Sequence, residues 1–206
     1  MTTEFERGRD GRSTDIQSGA GAPRWLTSNL NYCSRCGSRL RLGAVEGDHR
    51  ERLVCDNCGH IVYVNPRLVV TAFPVTDGGD LVLLRRGIEP GYGSWAQPGG
   101  FLEVDETVNQ AAIRETVEEP GLLIEPTEII GLYTRLEAAV VTIAFEARIV
   151  GGAAIVTPEA LEVRAFAPED IPWDGIAFTT TLWALRDWLA LRRPELEPPE
   201  VTGAHF

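Results

Sequence analysis

The chain has 206 residues, 44% of them apolar, and a formal charge of -11 at pH 7. That length suffices for one well-buried domain plus a small accessory module, and the acidic balance excludes a large basic footprint on nucleic acid or an anionic membrane. All nineteen basic residues are Arg, which also excludes a Walker-type phosphate lysine, a Schiff-base lysine and a Ser-Lys pair.

The first segment, residues 1–29, is rich in Gly, Ser, Thr and charge and has no apolar stretch of the kind a secretory signal needs, so a flexible tail is expected there. Further on, the longest apolar runs, "RLVVTAFPV" and "AAVVTIAF", are too short to span a bilayer and suit buried strands. No membrane association is expected, and a cytoplasmic, reducing compartment is.

Residues 30–64 contain all four cysteines. Cys33, Cys36, Cys55 and Cys58 spell C-x2-C-x18-C-x2-C, the spacing of two knuckles that each give two thiolates to one tetrahedral zinc. A Gly follows each pair directly, allowing the tight turn after the second ligand. The stretch between the pairs alternates around a Gly-Asp turn and is expected to form a hairpin, which makes the segment a zinc ribbon by pattern. With four thiolates the coordination shell is closed, so this zinc is structural. Residues 33–60 hold five Arg against four acidic residues, little basis for a nucleic-acid surface.

Residues 65–195 switch between strand and helix periods. "RLVVTAFPV", the turn "TDGGD" and "LVLLRR" read as a hairpin. The following "GIEPGYGSWAQPGG" is expected to be an irregular loop, in which Tyr92 and Trp95 are placed either to stack on a ligand ring or to pin the loop to the core. A helix comes next, then "EIIGLYTRLE" and "AAVVTIAFEARIV" as strands, a Gly151-Gly152 turn, the strand "LEVRAF" and a closing helix that carries Leu182, Leu185 and Leu189 and stops at Pro194. In that helix Trp183 and Trp188 read as packing residues. Residues 196–206 read as a second flexible tail. The element order predicts an α+β fold with a mixed sheet.

The helix after the loop ends in Glu115, Glu118 and Glu119, against the preference of a helix C-terminus for cations. At 100° per residue, Glu118 and Glu119 fall within about 60° either side of Glu115, so three like charges crowd one turn. Val104, Val108, Ala111 and Ala112 project into the same sector, which predicts an inward stripe rather than a solvated face. Arg114 is spaced to orient the carboxylates. A hard divalent cation, Mg²⁺ or Mn²⁺, is the partner such oxygen ligands call for.

The residues Gly100-x5-Glu106-x7-Arg114-Glu115-Thr116-x-Glu118-Glu119-x-Gly121-Leu122 resemble a complete Nudix box, the signature of hydrolases that act on a nucleoside diphosphate linked to another moiety. A zinc ribbon ahead of such a domain is similar to NADH pyrophosphatases. The SQPWPFP-like segment those enzymes carry after the box is absent, and "EALEVRAFAPEDIPWDGIAF" looks more like the zinc-ribbon Nudix proteins grouped with ADP-ribose and FAD pyrophosphatases.

The resemblance implies a Nudix α/β/α sandwich behind the ribbon. It also implies that Glu115, Glu118 and Glu119, with a backbone carbonyl near Gly99 or Gly100, hold Mg²⁺ against a pyrophosphate, and that AMP is released from ADP-ribose or FAD. By the same resemblance Arg114 orients the glutamates and Glu106 steadies the loop and helix. A further carboxylate outside the box, Glu159 or Glu162, acts as base or ligand, with Glu159 favoured. Arg67, Arg86, Tyr92 and Trp95 are candidate substrate contacts. Alternatives are an NADH, nucleoside triphosphate or capped-RNA pyrophosphatase, and, from another class, a nucleotide-sensing regulator that binds nucleic acid. The expected partner is a small nucleotide; a homodimer is compatible with the sequence.

Overall fold

The computed structural model describes residues 27–201, so residues 1–26 of the expected first tail, and residues 202–206, lie outside the described residues. The chain divides into two compact units, Met1–Asn65 and Pro66–Phe206.

In the first unit β1 (Leu40–Gly43), β2 (Arg52–Cys55) and β3 (Ile61–Val62) form an antiparallel sheet in the order β1-β2-β3. Each cysteine pair closes a backbone turn: the N–H of Gly37 donates to the carbonyl of Cys33, and that of Gly59 to Cys55. Both glycines have positive φ, 74° and 68°, a conformation that favours a residue without Cβ.

The second unit is built on a mixed sheet of seven strands: β4 (Arg67–Val75), β5 (Leu81–Arg86), β6 (Trp95–Ala96), β7 (Gly99–Phe101), β8 (Leu122–Arg135), β9 (Val140–Gly152) and β10 (Ala160–Phe166). The main order is β10-β5-β4-β9-β8, with β6 on β5 and β7 on β4; β4 and β9 are parallel and the other pairs antiparallel. Among the described residues two α-helices complete it, α1 (Val108–Glu118) and α2 (Thr179–Arg192).

Alternation along β4 sends its side chains to two cores. Val70 and Ala72 pack with Ala111 and Ala112 of α1, whereas Phe73 packs with Trp183, Leu185 and Trp188 of α2. Trp183 and Trp188 are thus packing residues. Leu196 and Val201, within the stretch expected to be a tail, pack against the α2 core.

Three local expectations differ from the structure. The loop before α1 holds two short strands, β6 and β7, because its glycines let the backbone approach β4 closely: a Cβ on Gly99 would meet the Val70 carbonyl oxygen at 2.5 Å. Gly151 and Gly152 end β9, paired with Leu123 and Leu122, instead of forming a free turn. Val104 lies in a turn before the helix, fully exposed, because α1 starts at the Thr107 cap; the inward stripe is Ala111, Ala112 and Thr116, with Val108 partly buried against the same core.

Candidate active site

The helix α1 is set by its capping box. The backbone N–H of Gln110 donates to Thr107 Oγ1, while the Gln110 side chain accepts from the N–H of Thr107. Its far end is stopped by Pro120 and by Gly121 at φ 77°. Buried Thr116 satisfies its hydroxyl within the helix by donating to the Ala112 carbonyl at 2.7 Å, which accounts for a polar residue at that inward position.

The carboxylates have three different surroundings. Glu119, 5% exposed, accepts a 2.8 Å hydrogen bond from the backbone N–H of Gly99 and forms no ion pair among the described residues. Burial pushes its pKa up to about 8 against the stabilising Gly99 N–H. Glu115 is also pushed up by burial, although Arg114 Nη1 donates to it at 2.5 Å. Glu118, with 59% of its side chain exposed, meets Arg114 Nη1 at 3.2 Å.

Arg114 is the hub. Its guanidinium also donates to both oxygens of Glu106, at 2.9 and 2.6 Å, and to the Phe101 carbonyl at 3.1 Å, tying the loop to the helix. The Arg114 hydrogen bonds hold Glu106 down to about 2. Gly100 gives Glu115 its room: a Cβ there would lie 2.3 Å from Glu115 Oε1.

Of the two carboxylates foreseen outside the box, Glu159 is the one whose charge bears on Glu115 and Glu119. Its loop is pinned beside the helix end, with Thr157 Oγ1 donating to the Glu119 carbonyl at 3.2 Å and the Gly87 N–H donating to the Glu159 carbonyl at 2.8 Å. Glu162 instead sits across from Arg85, 4.0 Å from its Nη1.

A cleft of about 440 Å³ opens at Gly99 and Gly100 and is lined by Arg67, Arg86 and Arg135 together with Phe101 and Phe178. The Arg67 guanidinium lies 4.4 Å from the Phe101 ring centroid, and that of Arg86 lies 4.9 Å from Phe178. The structure therefore brings Arg67, Arg86 and Gly100 together. It does not bring Tyr92 or Trp95 to the cleft: Tyr92 is exposed, and Trp95 packs edge-on against Phe166 with centroids 4.9 Å apart. Sequence reasoning missed Arg135, Phe101, Phe178, Gly87 and Thr157. The first three are ordinary strand or cap residues in the sequence, and nothing local marks them.

In the first unit the Sγ atoms of Cys33, Cys36, Cys55 and Cys58 all lie within 4.8 Å of one another, with Cys33 to Cys58 at 3.7 Å and Cys36 to Cys55 at 3.5 Å. Four sulfurs around one zinc at tetrahedral geometry are about 3.8 Å apart, so the set fits that ion. Among the described residues this is the one such group of His, Cys, Asp or Glu ligand atoms. The glutamates of α1 are spread more widely, since Arg114 draws Glu115 and Glu118 toward itself while Glu119 turns to Gly99. Their all-oxygen donor set, and a buried Glu119 with no ion pair, nonetheless suit a hard divalent cation.

Residues 65–186 match the model of the NUDIX domain, and residues 31–64 match the Nudix N-terminal model, which describes a zinc ribbon. The chain belongs to the Nudix hydrolase family. It is 34% identical to a NUDIX hydrolase from Nitrosomonas europaea, whose crystal structure superposes with a TM-score of 0.74 over 82% of this chain and 94% of that one. Over 115 residues it is 30% identical to the ADP-ribose pyrophosphatase of Methanocaldococcus jannaschii, covering 54% of this chain and 68% of that protein. Over 165 residues it is 31% identical to the NAD-capped RNA hydrolase NudC of Deinococcus radiodurans, covering 79% of this chain and 58% of that protein. The chain thus spans only part of the length of both curated relatives. Among the described residues, no helix of this Nudix protein is long and apolar enough to cross a membrane.

Proposed function

We propose that this Nudix protein hydrolyses the pyrophosphate bond of a nucleoside diphosphate linked to another moiety, with ADP-ribose or FAD as substrate and AMP as one product. The observation that carries this reading is the join of two opposite environments at Gly99 and Gly100. On one side are Glu115 and a buried Glu119; on the other is a cleft walled by three arginines and two aromatic rings. A relative named for ADP-ribose and another named for NAD-capped RNA support a substrate built on adenosine diphosphate.

Glu115, Glu118 and Glu119 would hold Mg²⁺ or Mn²⁺, which when bound supplies charge neutralisation at the diphosphate and acidifies water. Arg114 orients Glu115 and Glu118 and ties them to the loop through Glu106 and the Phe101 carbonyl. Arg86, whose charge reaches Glu119, lies at the cleft's carboxylate end and meets a diphosphate oxygen there. Glu159, whose backbone carbonyl is held by the Gly87 N–H, accepts the proton of the attacking water on its carboxylate; a new P–O bond forms and the bridging P–O bond breaks, leaving two phosphomonoesters. The four-cysteine ribbon holds a structural zinc.

The test is direct. The purified chain is incubated with Mg²⁺ and separately with ADP-ribose, FAD, NADH, a capped RNA and nucleoside triphosphates, and products are separated by chromatography. AMP from ADP-ribose or FAD at the highest kcat/KM is the expected result; turnover of triphosphates alone, or of nothing, rejects the reading.

A further inference from the structure

The cleft carries more positive charge than a metal-bridged diphosphate requires, and the excess sits in one row of the sheet. Arg67 of β4 pairs in register with Val140 of β9, and Val140 pairs with Arg135 of β8. Residues in one cross-strand row point to the same face, so both guanidiniums and the Val140 side chain face the same way, and all three line the cleft. Adjacent strands are about 4.8 Å apart, which puts the two Arg Cα atoms roughly 10 Å from each other.

At this separation the two like charges repel only weakly in water, and an anion lying between them is attracted by both. Arg67 has no ion pair among the described residues; its guanidinium lies over Phe101 and keeps its N–H edge free. Arg135 has one carboxylate neighbour, Glu137, at 2.7 Å, and that side chain is 67% exposed, a weak competitor in water. Elsewhere in this acidic chain most ion-paired arginines answer a carboxylate across elements, as Arg192 does with Glu128 and Glu146.

Resting on the hydrolase reading above, we propose that Arg67 and Arg135 form a clamp for a further phosphate outside the diphosphate being cut, so that the site also takes substrates carrying one phosphate more than ADP-ribose or FAD. Across a gap of this width both side chains are long enough to reach one tetrahedral oxyanion with forked hydrogen bonds, Arg135 exchanging its exposed Glu137 partner for it. Arg86 stands at the carboxylate end of the same cleft, so the clamp lies beyond the scissile group, on the moiety attached to it. That phosphate has two chemical sources: a phosphomonoester on a ribose of a small dinucleotide, or the next phosphodiester of a nucleotide chain.

Two measurements decide it. In the first, adenosine 2′,5′-bisphosphate and AMP are titrated calorimetrically into the metal-free chain in EDTA. The bisphosphate binds about tenfold more tightly or better, as expected for added charge-assisted hydrogen bonds, and R67Q and R135Q abolish the difference. In the second, kcat/KM with Mg²⁺ is compared within two pairs: NADPH against NADH, and a dinucleotide extended by one 3′-linked nucleotide against its parent. A preference in the first pair that collapses to near unity in R67Q and R135Q supports the clamp with a phosphomonoester; the same result in the second pair supports it with a nucleotide chain. Equal binding of bisphosphate and AMP, or variants that depress both members of each pair alike, overturns it. If nothing is hydrolysed, the proposed function fails while the metal-free titration still decides the clamp.

Discussion

The backbone N–H of Gly99 donates a 2.8 Å hydrogen bond to the carboxylate of Glu119, 20 residues further along the chain. That bond joins the glycine loop to the end of α1 and fixes a buried carboxyl group beside a cleft lined with arginine. A glutamine at 119 keeps an oxygen acceptor for Gly99 and loses the charge. Glu119→Gln is therefore expected to keep the fold and to lower kcat by on the order of a hundredfold or more. Glu118→Gln, at the exposed end of the Arg114 fan, is expected to do the same. Wild-type turnover with Mg²⁺ in either variant, alongside an unchanged circular dichroism spectrum, would contradict the metal assignment.

Gly87 has a steric role that touches catalysis at a distance. A Cβ there would lie 2.0 Å from the Pro158 carbonyl oxygen, so Gly87→Ala must push the 157–160 loop outward. Overpacking of this kind costs roughly 1–3 kcal/mol. With Glu159 as base, kcat falls about tenfold or more while KM changes less. A variant with the expected loss of thermal stability and an unaltered kcat would remove Glu159 from the mechanism.

The raised proton affinity of Glu119 gives a pH dependence with a definite sign. Between the ordinary carboxylate value of 4.5 and about 8, the metal-free folded protein keeps a proton that the unfolded chain has lost. Stability conferred by this protonated group is present at low pH and declines as pH rises through that window, by at most about 1.4 kcal/mol per pH unit. The Tm of wild type minus that of Glu119→Gln, measured in EDTA, should fall from pH 5 to pH 8. Mg²⁺ favours the charged form and should raise the wild-type Tm more at pH 8 than at pH 5. A flat difference curve and no Mg²⁺ effect at pH 8 would count against both statements.

The ribbon makes a separate prediction. Cys33 and Cys55 are buried in a unit of three short strands, which has little apolar core of its own. Cys55→Ser should lower bound zinc well below one ion per chain by elemental analysis and open residues 27–64 to protease, because metal binding supplies folding energy to so small a module. Full zinc occupancy with unchanged protection would show that the four sulfurs are not one site.

The same contrast of near and far runs through what the sequence revealed. The two cysteine pairs with their glycines, and the crowding of Glu115, Glu118 and Glu119 at a helix end, were legible because each depends on chain geometry within a few residues. So did the packing role of Trp183 and Trp188, carried by helical spacing. The loop before α1 was legible only in part: of the two roles open to Trp95 the structure shows the one that pins the loop to the core, and Val104 fell outside a helix whose start was fixed by the cap at Thr107. Beyond those, the row Arg67, Val140 and Arg135 exists because three strands adopt one register, and Gly87 matters because a loop 70 residues later comes to rest on it. No local pattern encodes a register or a close approach between distant segments. The sequence by itself determined which chemistry-bearing groups lie together within an element, through fixed backbone periodicity; only the tertiary structure, by choosing how strands pair and which face meets which helix, decided which of those groups share a cleft.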